Sequence, residues 1–141
     1  DLHERAGSKK VLHLHGELSK VRSTKNPNYI LEWEGDLNLG NVDRFNHQLR
    51  PHIVWFGEAV PAFEEAISIT QGADYFAVIG TSLQVYPAAG LIDYVPVKSP
   101  IFYIDPNPIK IPNLRNSLET FPMLATEGIP HLKNRLLAEF Q

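Results

Sequence analysis

The sequence predicts an α/β protein with a doubly wound parallel sheet. Short apolar runs rich in β-branched residues alternate with segments of helical spacing, and several of these runs end in glycine-containing or polar loops. The length of 141 residues and the hydrophobic content of 43% fit one globular domain. Strands that are apolar over their whole length are typical of a parallel sheet covered by helices on both faces.

The first part of the chain contains one predicted core strand and one irregular segment. The strand covers residues 10–14 and is followed by His15 and Gly16, so we expect His15 at the end of a buried strand. Residues 18–47 are polar, with turn signals and one strand candidate at 29–31. We interpret this segment as a small excursion outside the main core.

The rest of the chain alternates strands and helices. Strands are predicted from β-branched and aromatic runs at residues 52–56, 74–79 and 100–104, and helices at residues 61–72, 87–92 and 130–140. In doubly wound sheets, ligands bind beyond the carboxyl ends of the strands. We therefore expect three loops to meet in one crevice: residues 15–16, 80–82 and 105–107.

Two of these loops carry residues suited to a nucleotide. Gly80 lets the backbone approach a ligand closely, and the hydroxyls of Thr81 and Ser82 can bond phosphate or ribose. The same residues equally form an ordinary helix-entry turn. Asp105 can accept hydrogen bonds from ribose hydroxyls, but the Asp-Pro-Asn-Pro run is also a stiff turn.

Two further groups have both a chemical and a structural interpretation. His13 and His15 alternate along the predicted strand, a spacing that metal ligands also use, although His13 alone is more typical of a core or edge histidine. His15, followed by glycine at the crevice, is suited to proton transfer. The run from Phe56 to Glu58 is a strand end with a solvated carboxylate, or an apolar slot for an alkyl chain that carries an amide.

Composition excludes several classes of function. The net charge of −3 argues against a nucleic-acid partner, and the absence of cysteine excludes disulfides, thiolate nucleophiles and cysteine-ligated zinc. No apolar run is long enough to cross a bilayer, and the first residues lack the regions of a signal peptide. We therefore expect a cytoplasmic protein without membrane contact.

Four motifs, in order and in spacing, resemble those of the sirtuin (Sir2) family. They are Leu2 to Ser8 (LHERAGS), Leu14-His15-Gly16, Arg50 to Glu58 (RPHIVWFGE), and Gly80 to Leu83 (GTSL) with Val85 to Ala89 (VYPAA). Only residues 18–49 fall outside the resemblance. It implies a Rossmann-like fold and NAD-dependent removal of acetyl groups, or of succinyl and malonyl groups, from protein lysines, with release of nicotinamide and O-acyl-ADP-ribose.

The resemblance also implies roles for individual residues. These are a catalytic base at His15, contacts with an acyl-lysine peptide or protein at Val54, Phe56, Gly57, Glu58 and Val85, and NAD contacts at Gly80, Thr81, Ser82, Asp105, Asn107, Ala125 and Thr126. The backbone of Val54 and Gly57 would bond the substrate. Asp105 stands where the family commonly has asparagine, a departure that keeps an acceptor.

The sequence departs from the family in two regions. The glycine-rich dinucleotide loop and the first strands of a sirtuin would lie before Asp1, so we expect the 141-residue chain by itself to be inactive. The positions of the family's zinc-binding cysteines are occupied by Ser23, Asn26, Val42 and Phe45. The chain therefore resembles the zinc-less bacterial type. We expect no zinc, and a segment held by hydrophobic contacts of Tyr29, Leu31, Trp33, Leu37 and Phe45.

The resemblance predicts a division into a Rossmann-like NAD and acyl-lysine domain, residues 1–17 and 48–141, and an insertion, residues 18–47. Two alternatives to the deacylase stay open. One is an inactive or partner-dependent sirtuin fragment that binds nucleotide weakly. The other is a metal-dependent hydrolase that uses His13 and His15.

Overall fold

Two three-stranded sheets organise the chain, one antiparallel and one parallel. The computed structural model describes residues 1–140, and the chain divides into two compact units, Asp1–Ala62 and Phe63 onward. The first unit contains α1 (Leu2–Arg5), β1 (Gly16–Ser23), β2 (Ile30–Glu32) and β3 (Leu49–Ile53). The second contains α2 (Phe63–Gln71), β4 (Phe76–Ile79), a 3₁₀ helix (Ala88–Tyr94), β5 (Ile101–Ile104), β6 (Leu118–Phe121), α3 (Ala125–Leu137) and a 3₁₀ turn (Ala138–Phe140).

The antiparallel sheet of the first unit has the strand order β2-β1-β3. Val21 of the central strand pairs with Leu31 of β2 and with Pro51 of β3. β3 is an edge strand, where a proline costs no ladder hydrogen bond. Val21 and Leu49 are the buried apolar residues of this unit, which therefore has a small core.

The strand predicted over residues 10–14 is wrong. These residues form no strand, and β1 begins only at Gly16, so His15 precedes a strand instead of following one. The strand predicted over 52–56 is shifted towards the N-terminus, because β3 pairs with β1 through Ile53 and no further. Most of β1 lies in the segment that we expected to be irregular, whereas β2 overlaps the strand candidate predicted there at residues 29–31.

A buried carboxylate organises the segment between β2 and β3. Asp43 accepts hydrogen bonds from the backbone N–H groups of Phe45 (2.8 Å) and His47 (2.9 Å), and its second oxygen lies 3.3 Å from His47 Nδ1. Burial alone would raise the pKa of Asp43, but the His47 N–H and the Ser23 hydroxyl stabilise the carboxylate and lower the pKa to about 2. The loop is therefore built around one ionised group.

Hydrogen bonds, more than apolar contacts, hold this segment. Gln48 donates through Nε2 to three backbone carbonyls, and its Oε1 accepts from the Gly40 N–H. Ser23 is 1% exposed and accepts from the N–H groups of Lys25 and Asn26. The five residues expected to hold the segment by hydrophobic contacts are not buried, and Phe45 is 57% exposed. Leu31 is exposed as well, whereas Tyr29, Trp33 and Leu37 are half-buried, so apolar burial in this segment is only partial and polar side chains bond its backbone.

The parallel sheet of the second unit has the order β4-β5-β6 and is covered on both faces, which confirms the predicted fold class. The central strand β5 is buried throughout. Ile101 and Tyr103 pack on one face with Val78, Ile92 and Val95. Phe102 and Ile104 pack on the other face with Leu132 of α3. Because successive side chains of β5 point to opposite faces of the sheet, this one strand contributes to both apolar clusters.

The remaining elements differ from prediction in detail. β6 was not predicted, since two of its four residues, Glu119 and Thr120, are polar and adjacent. α3 begins at Ala125 and contains Pro130, whereas the sequence predicts a helix that starts at this proline. The division of the chain at residue 62 differs from the predicted domains 1–17 with 48–141 and 18–47, which stay a prediction. No helix within residues 1–140 is long and apolar enough to span a membrane.

We expect Asp43→Asn to lower the free energy of unfolding more than Asp36→Asn, which changes an exposed carboxylate of the same segment. The folded-state pKa of Asp43 lies below the usual 3.8, so its contribution to stability is present above about pH 4 and is lost as pH falls towards about 2. Urea unfolding at pH 7 and pH 3 measures both effects. Equal losses for the two variants, or a loss independent of pH, would contradict the assignment.

Candidate functional site

His15 lies in the turn that leads into β1. A hydrogen bond from the Gly16 N–H to the His13 carbonyl (3.1 Å) closes this turn, and the imidazole of His15 is exposed. The His15 carbonyl accepts a hydrogen bond from the Val54 N–H (2.9 Å). The backbone of the candidate base is therefore bonded directly to the candidate acyl-lysine segment.

The residue after His15 must be glycine for two reasons. Gly16 has φ +85°, in the left-handed region that side chains disfavour. A Cβ built on it would lie 2.0 Å from the His52 carbonyl oxygen. Because Gly16 lies so close to β3, the backbone position of His15 just before β1 is restricted.

The segment after β3 forms a closed turn. The Glu58 N–H donates to the Trp55 carbonyl (3.0 Å), and the Trp55 N–H donates to Glu58 Oε2 (3.0 Å). The Arg50 guanidinium donates to both oxygens of Glu58, at 2.5 and 3.1 Å. These hydrogen bonds, the one from Arg50 foremost, lower the pKa of Glu58 to about 2.

The outer side of this turn is apolar and accessible. Phe56 is 94% exposed, Trp55 is 54% exposed and Val54 is half-buried. Gly57 has φ +85° and open space where a Cβ would stand. The first unit therefore brings His15, Val54, Phe56, Gly57 and Glu58 onto one short stretch of connected backbone.

A small cavity of about 90 Å³ adjoins the same backbone. Its lining includes Leu14, Gly16, His52 and Val54. Burial, followed by the nearby Arg22 charge, lowers the pKa of His52, and its Nδ1 is a buried atom without a partner within residues 1–140. Both effects favour the neutral form of the His52 imidazole.

His13 does not join a metal-binding cluster. Its Nε2 lies 2.6 Å from Glu4 Oε1 and 3.6 Å from Glu17 Oε1. Across residues 1–140, no group of three or more His, Asp or Glu side chains is arranged to hold a metal ion. Carboxylates thus satisfy His13, which fits the structural interpretation of this histidine.

In the second unit, residues 80–82 form the loop after β4. Gly80 has φ +64° and open space around it, and its N–H donates to the Ile104 carbonyl (2.9 Å). Thr81 Oγ1 accepts from the Leu83 N–H (3.2 Å), which leaves its own proton free to donate. Ser82 is exposed. The loop thus presents two hydroxyls beside an accessible backbone.

The loop after β5 presents an acidic residue at the same edge of the sheet. Asp105 is half-buried, and its Oδ1 accepts from the N–H of Asn107 (2.8 Å), which is exposed. β4 and β5 are parallel neighbours, so their carboxyl ends lie side by side. Two of the three predicted loops therefore share one edge, as expected.

Ala125 and Thr126 begin α3 at that edge, because the helix follows the parallel strand β6. Leu124 at the N-cap offers no side-chain hydrogen bond to the first turn. Gly128 lets the helix approach β5, since a Cβ there would lie 2.4 Å from Ile104 Cγ2. The helix N-terminus adds a partial positive charge beside the two loops.

Val85 belongs to the second unit and is 49% exposed. Its carbonyl accepts the Ala89 N–H (2.9 Å) as the 3₁₀ helix begins. The predicted acyl-lysine residues therefore fall into two groups, Val85 in the second unit and the other four in the first.

Sequence reasoning missed two residues that shape these groups. Arg22 of β1 donates to the Ile53 carbonyl (3.1 Å) and reaches Glu58 (3.5 Å). Tyr103, fully buried in β5, donates through its hydroxyl to the Thr81 carbonyl (2.9 Å). Neither has a local signal, since both act on residues distant in sequence.

Gly16→Ala should destabilise the first unit and displace His15. The control is Gly35→Ala, because Gly35 also has a positive φ but a Cβ added there would meet nothing within 4 Å. We expect the control to cost about 1 kcal/mol, the usual penalty of a left-handed alanine, and Gly16→Ala to cost clearly more. Thermal unfolding compares the two variants. Equal costs would show that the contact with His52 is not restrictive.

Comparison with known proteins identifies the family. A family model described as the Sir2 family matches residues 1–87. The NAD-dependent protein deacylase of Helicobacter pylori is 59% identical over 106 residues, which cover 75% of this chain and 46% of that protein. The NAD-dependent protein deacylase of Bacteroides thetaiotaomicron is 48% identical over 143 aligned positions, which cover 97% of this chain and 61% of that protein.

The chain spans about half the length of the curated relatives it matches. A Sir2 homologue solved in complex with NAD has a TM-score of 0.82 and 34% sequence identity, over the whole of this chain and 56% of that one. The family resemblance and the Rossmann-like fold expected from the motifs are thus confirmed. The chain belongs to the Sir2 family.

Proposed function

We propose that the protein uses NAD to remove acyl groups from lysine side chains of proteins. The observation that carries this proposal is the backbone hydrogen bond between Val54 and His15, which joins the residue bearing an exposed imidazole to an accessible apolar turn. The two curated relatives, both named NAD-dependent protein deacylases, support it.

His15 is suited to act as a general base. Its imidazole is exposed, and no hydrogen bond within residues 1–140 occupies the ring, so a ring nitrogen is accessible to a substrate hydroxyl. We propose that His15 would accept the proton of a ribose hydroxyl of NAD. Removal of this proton would allow the hydroxyl oxygen to bond to the acyl carbon. The restricted turn at Gly16 limits the position of the backbone from which the His15 side chain extends.

The turn from Val54 to Glu58 is suited to the acyl-lysine chain. Val54 and Phe56 supply apolar surface for the alkyl part of the side chain. Among residues 1–140, the Val54 carbonyl and the Gly57 N–H have no hydrogen-bond partner, so both are available to the amide and main chain of a peptide. Val85, in the second unit, stays a predicted contact of the acyl-lysine substrate.

The carboxyl edge of the parallel sheet is suited to NAD. NAD supplies the ribose carbon that accepts the acyl oxygen as nicotinamide leaves. The fit rests on exposed hydroxyls and backbone at Gly80, Thr81 and Ser82, on the Asp105 carboxylate beside Asn107, and on the uncapped N-terminus of α3 at Ala125 and Thr126. Hydroxyls and a carboxylate bind ribose, and a helix N-terminus attracts phosphate.

Several finer expectations stay predictions. They include the choice among acetyl, succinyl and malonyl groups, the cytoplasmic location, and the absence of zinc and of nucleic-acid partners. The hydrolase that would use His13 and His15 has no support, because His13 is bonded to Glu4 and no metal-binding cluster exists within residues 1–140. An inactive form would be recognised by the absence of nicotinamide release.

His15→Ala should lower the deacylation rate by about 10²–10⁴-fold, the usual contribution of a general base. We expect the melting temperature to stay unchanged, because the side chain is exposed and forms no hydrogen bond within residues 1–140. His131→Ala, which removes an exposed histidine of α3, is the matched control. The assay measures nicotinamide release from an acyl-lysine peptide, in the protein whose sequence includes these residues. Retained activity would exclude His15 as the base.

Asp105→Ala should weaken NAD binding by about tenfold, which corresponds to one hydrogen bond to a charged group. Asp105→Asn should stay close to wild type, since its amide oxygen can still accept from the Asn107 N–H and from a ribose hydroxyl. Isothermal titration calorimetry with NAD compares the two variants. If both bind like the wild type, Asp105 is only a turn residue.

A further inference from the structure

A carboxylate between two arginines holds the turn from Val54 to Glu58. Arg22 of β1 and Arg50 of β3 are cross-strand partners in the antiparallel sheet. Like charges directly opposite each other destabilise a sheet. Both guanidiniums donate to the Ile53 carbonyl, at 3.1 and 3.3 Å, so they converge on the last residue of β3. Such a pair requires a counter-charge.

Glu58 supplies that counter-charge. Its carboxylate lies 3.5 Å from the Arg22 guanidinium and 2.5 Å from that of Arg50. No other carboxylate within residues 1–140 forms an ion pair with either arginine. A charge-assisted, two-pronged bond of this kind also fixes the orientation of the carboxylate.

The hydrogen-bonding positions of Glu58 are largely occupied. Oε1 accepts from Arg50, and Oε2 accepts from Arg50, from Arg22 and from the Trp55 N–H. A carboxylate has about four lone-pair sites. It is therefore poorly suited to contact a substrate, although the family resemblance placed it among the substrate-binding residues.

The hydrogen bonds of Glu58 and His15 determine which backbone N–H and C=O groups of the turn have no partner. The Trp55 N–H is used by Glu58, and the Val54 N–H by the His15 carbonyl. The Val54 carbonyl and the Gly57 N–H are left without partners within residues 1–140. The carboxylate thus fixes the turn that presents these groups, and the turn is bonded to His15.

We propose that Glu58 and Arg22 are positioning residues of the deacylase, which hold the acyl-lysine turn in its binding shape and do not contact the substrate. This inference rests on the proposed function. Arg22 itself lies outside the four family motifs, although its strand begins at Gly16 of one of them. The substrate turn is therefore controlled from the segment that lacks the zinc-binding cysteines.

The test uses Glu58→Gln, Arg22→Gln and their double variant, with Glu34→Gln as the exposed control. We expect each single variant to raise the KM for an acyl-lysine peptide by about tenfold while the KM for NAD changes less than about twofold. Because both residues act on one turn, the double variant should be no worse than the poorer single variant. If Glu58 instead contacts the substrate, Glu58→Gln impairs only peptides with Lys or Arg next to the acyl-lysine, and Arg22→Gln has no effect. That pattern overturns the inference.

Amide hydrogen exchange separates this inference from the proposed function. Exchange at the Val54 and Trp55 N–H groups, which are hydrogen-bonded in the turn, should be faster by about tenfold in Glu58→Gln than in the wild type, as expected for a local opening. Unchanged exchange overturns the inference whether or not the protein is active. Faster exchange with an unchanged peptide KM also overturns it, since the turn is then held for another reason. A wild-type protein that deacylates no peptide overturns the proposed function, and exchange alone then decides how the turn is held.

Discussion

The hydrogen bond from the Val54 N–H to the His15 carbonyl is the contact on which the site of the first unit depends. It joins two segments that are far apart in the sequence and that each need their own support. The His15 turn is supported by the close approach of Gly16 to the His52 carbonyl. The other segment is supported by the ion pairs of Glu58. Neither support involves a large apolar core, since this unit buries few hydrophobic residues.

Two ionised carboxylates stabilise the irregular segments of this unit by accepting hydrogen bonds. The pKa values of Asp43 and Glu58 are both lowered to about 2. Asp43 accepts from two backbone N–H groups of its turn, and Glu58 accepts from one, that of Trp55. Asp43 and Ser23 lie within the stretches where the resemblance places the zinc-binding cysteines. A metal ion closes loops by gathering negative ligands around one positive charge. In this protein the charges are reversed: the negative Asp43 carboxylate accepts hydrogen bonds from several donors of the loop. The loop is therefore closed without cysteine ligands.

The sequence predicts the parts of the structure that are encoded locally. Strands β4 and β5 follow from continuous apolar runs, and their parallel order places Gly80 and Asp105 at one edge. The motif around Phe56 can also be recognised directly. Arg22 could not be found, because its role depends on the register between β1 and β3, which shifts between Glu17 and Val21. The apolar run before His15 predicted a strand, but without a ladder partner those residues stay irregular.

One buried side chain contacts both loops at the carboxyl edge of the parallel sheet. Tyr103 is fully buried in β5, and its hydroxyl donates to the Thr81 carbonyl while it lies 3.5 Å from the Ile109 N–H. A buried hydroxyl must have partners, so these contacts are costly to lose. The loop after β4 and the segment that follows Asp105 are thus bonded to the same oxygen. The sheet therefore sets the distance between the hydroxyls of Thr81 and Ser82 and the carboxylate of Asp105. A ligand that contacts both loops would bind a site that is already preorganised.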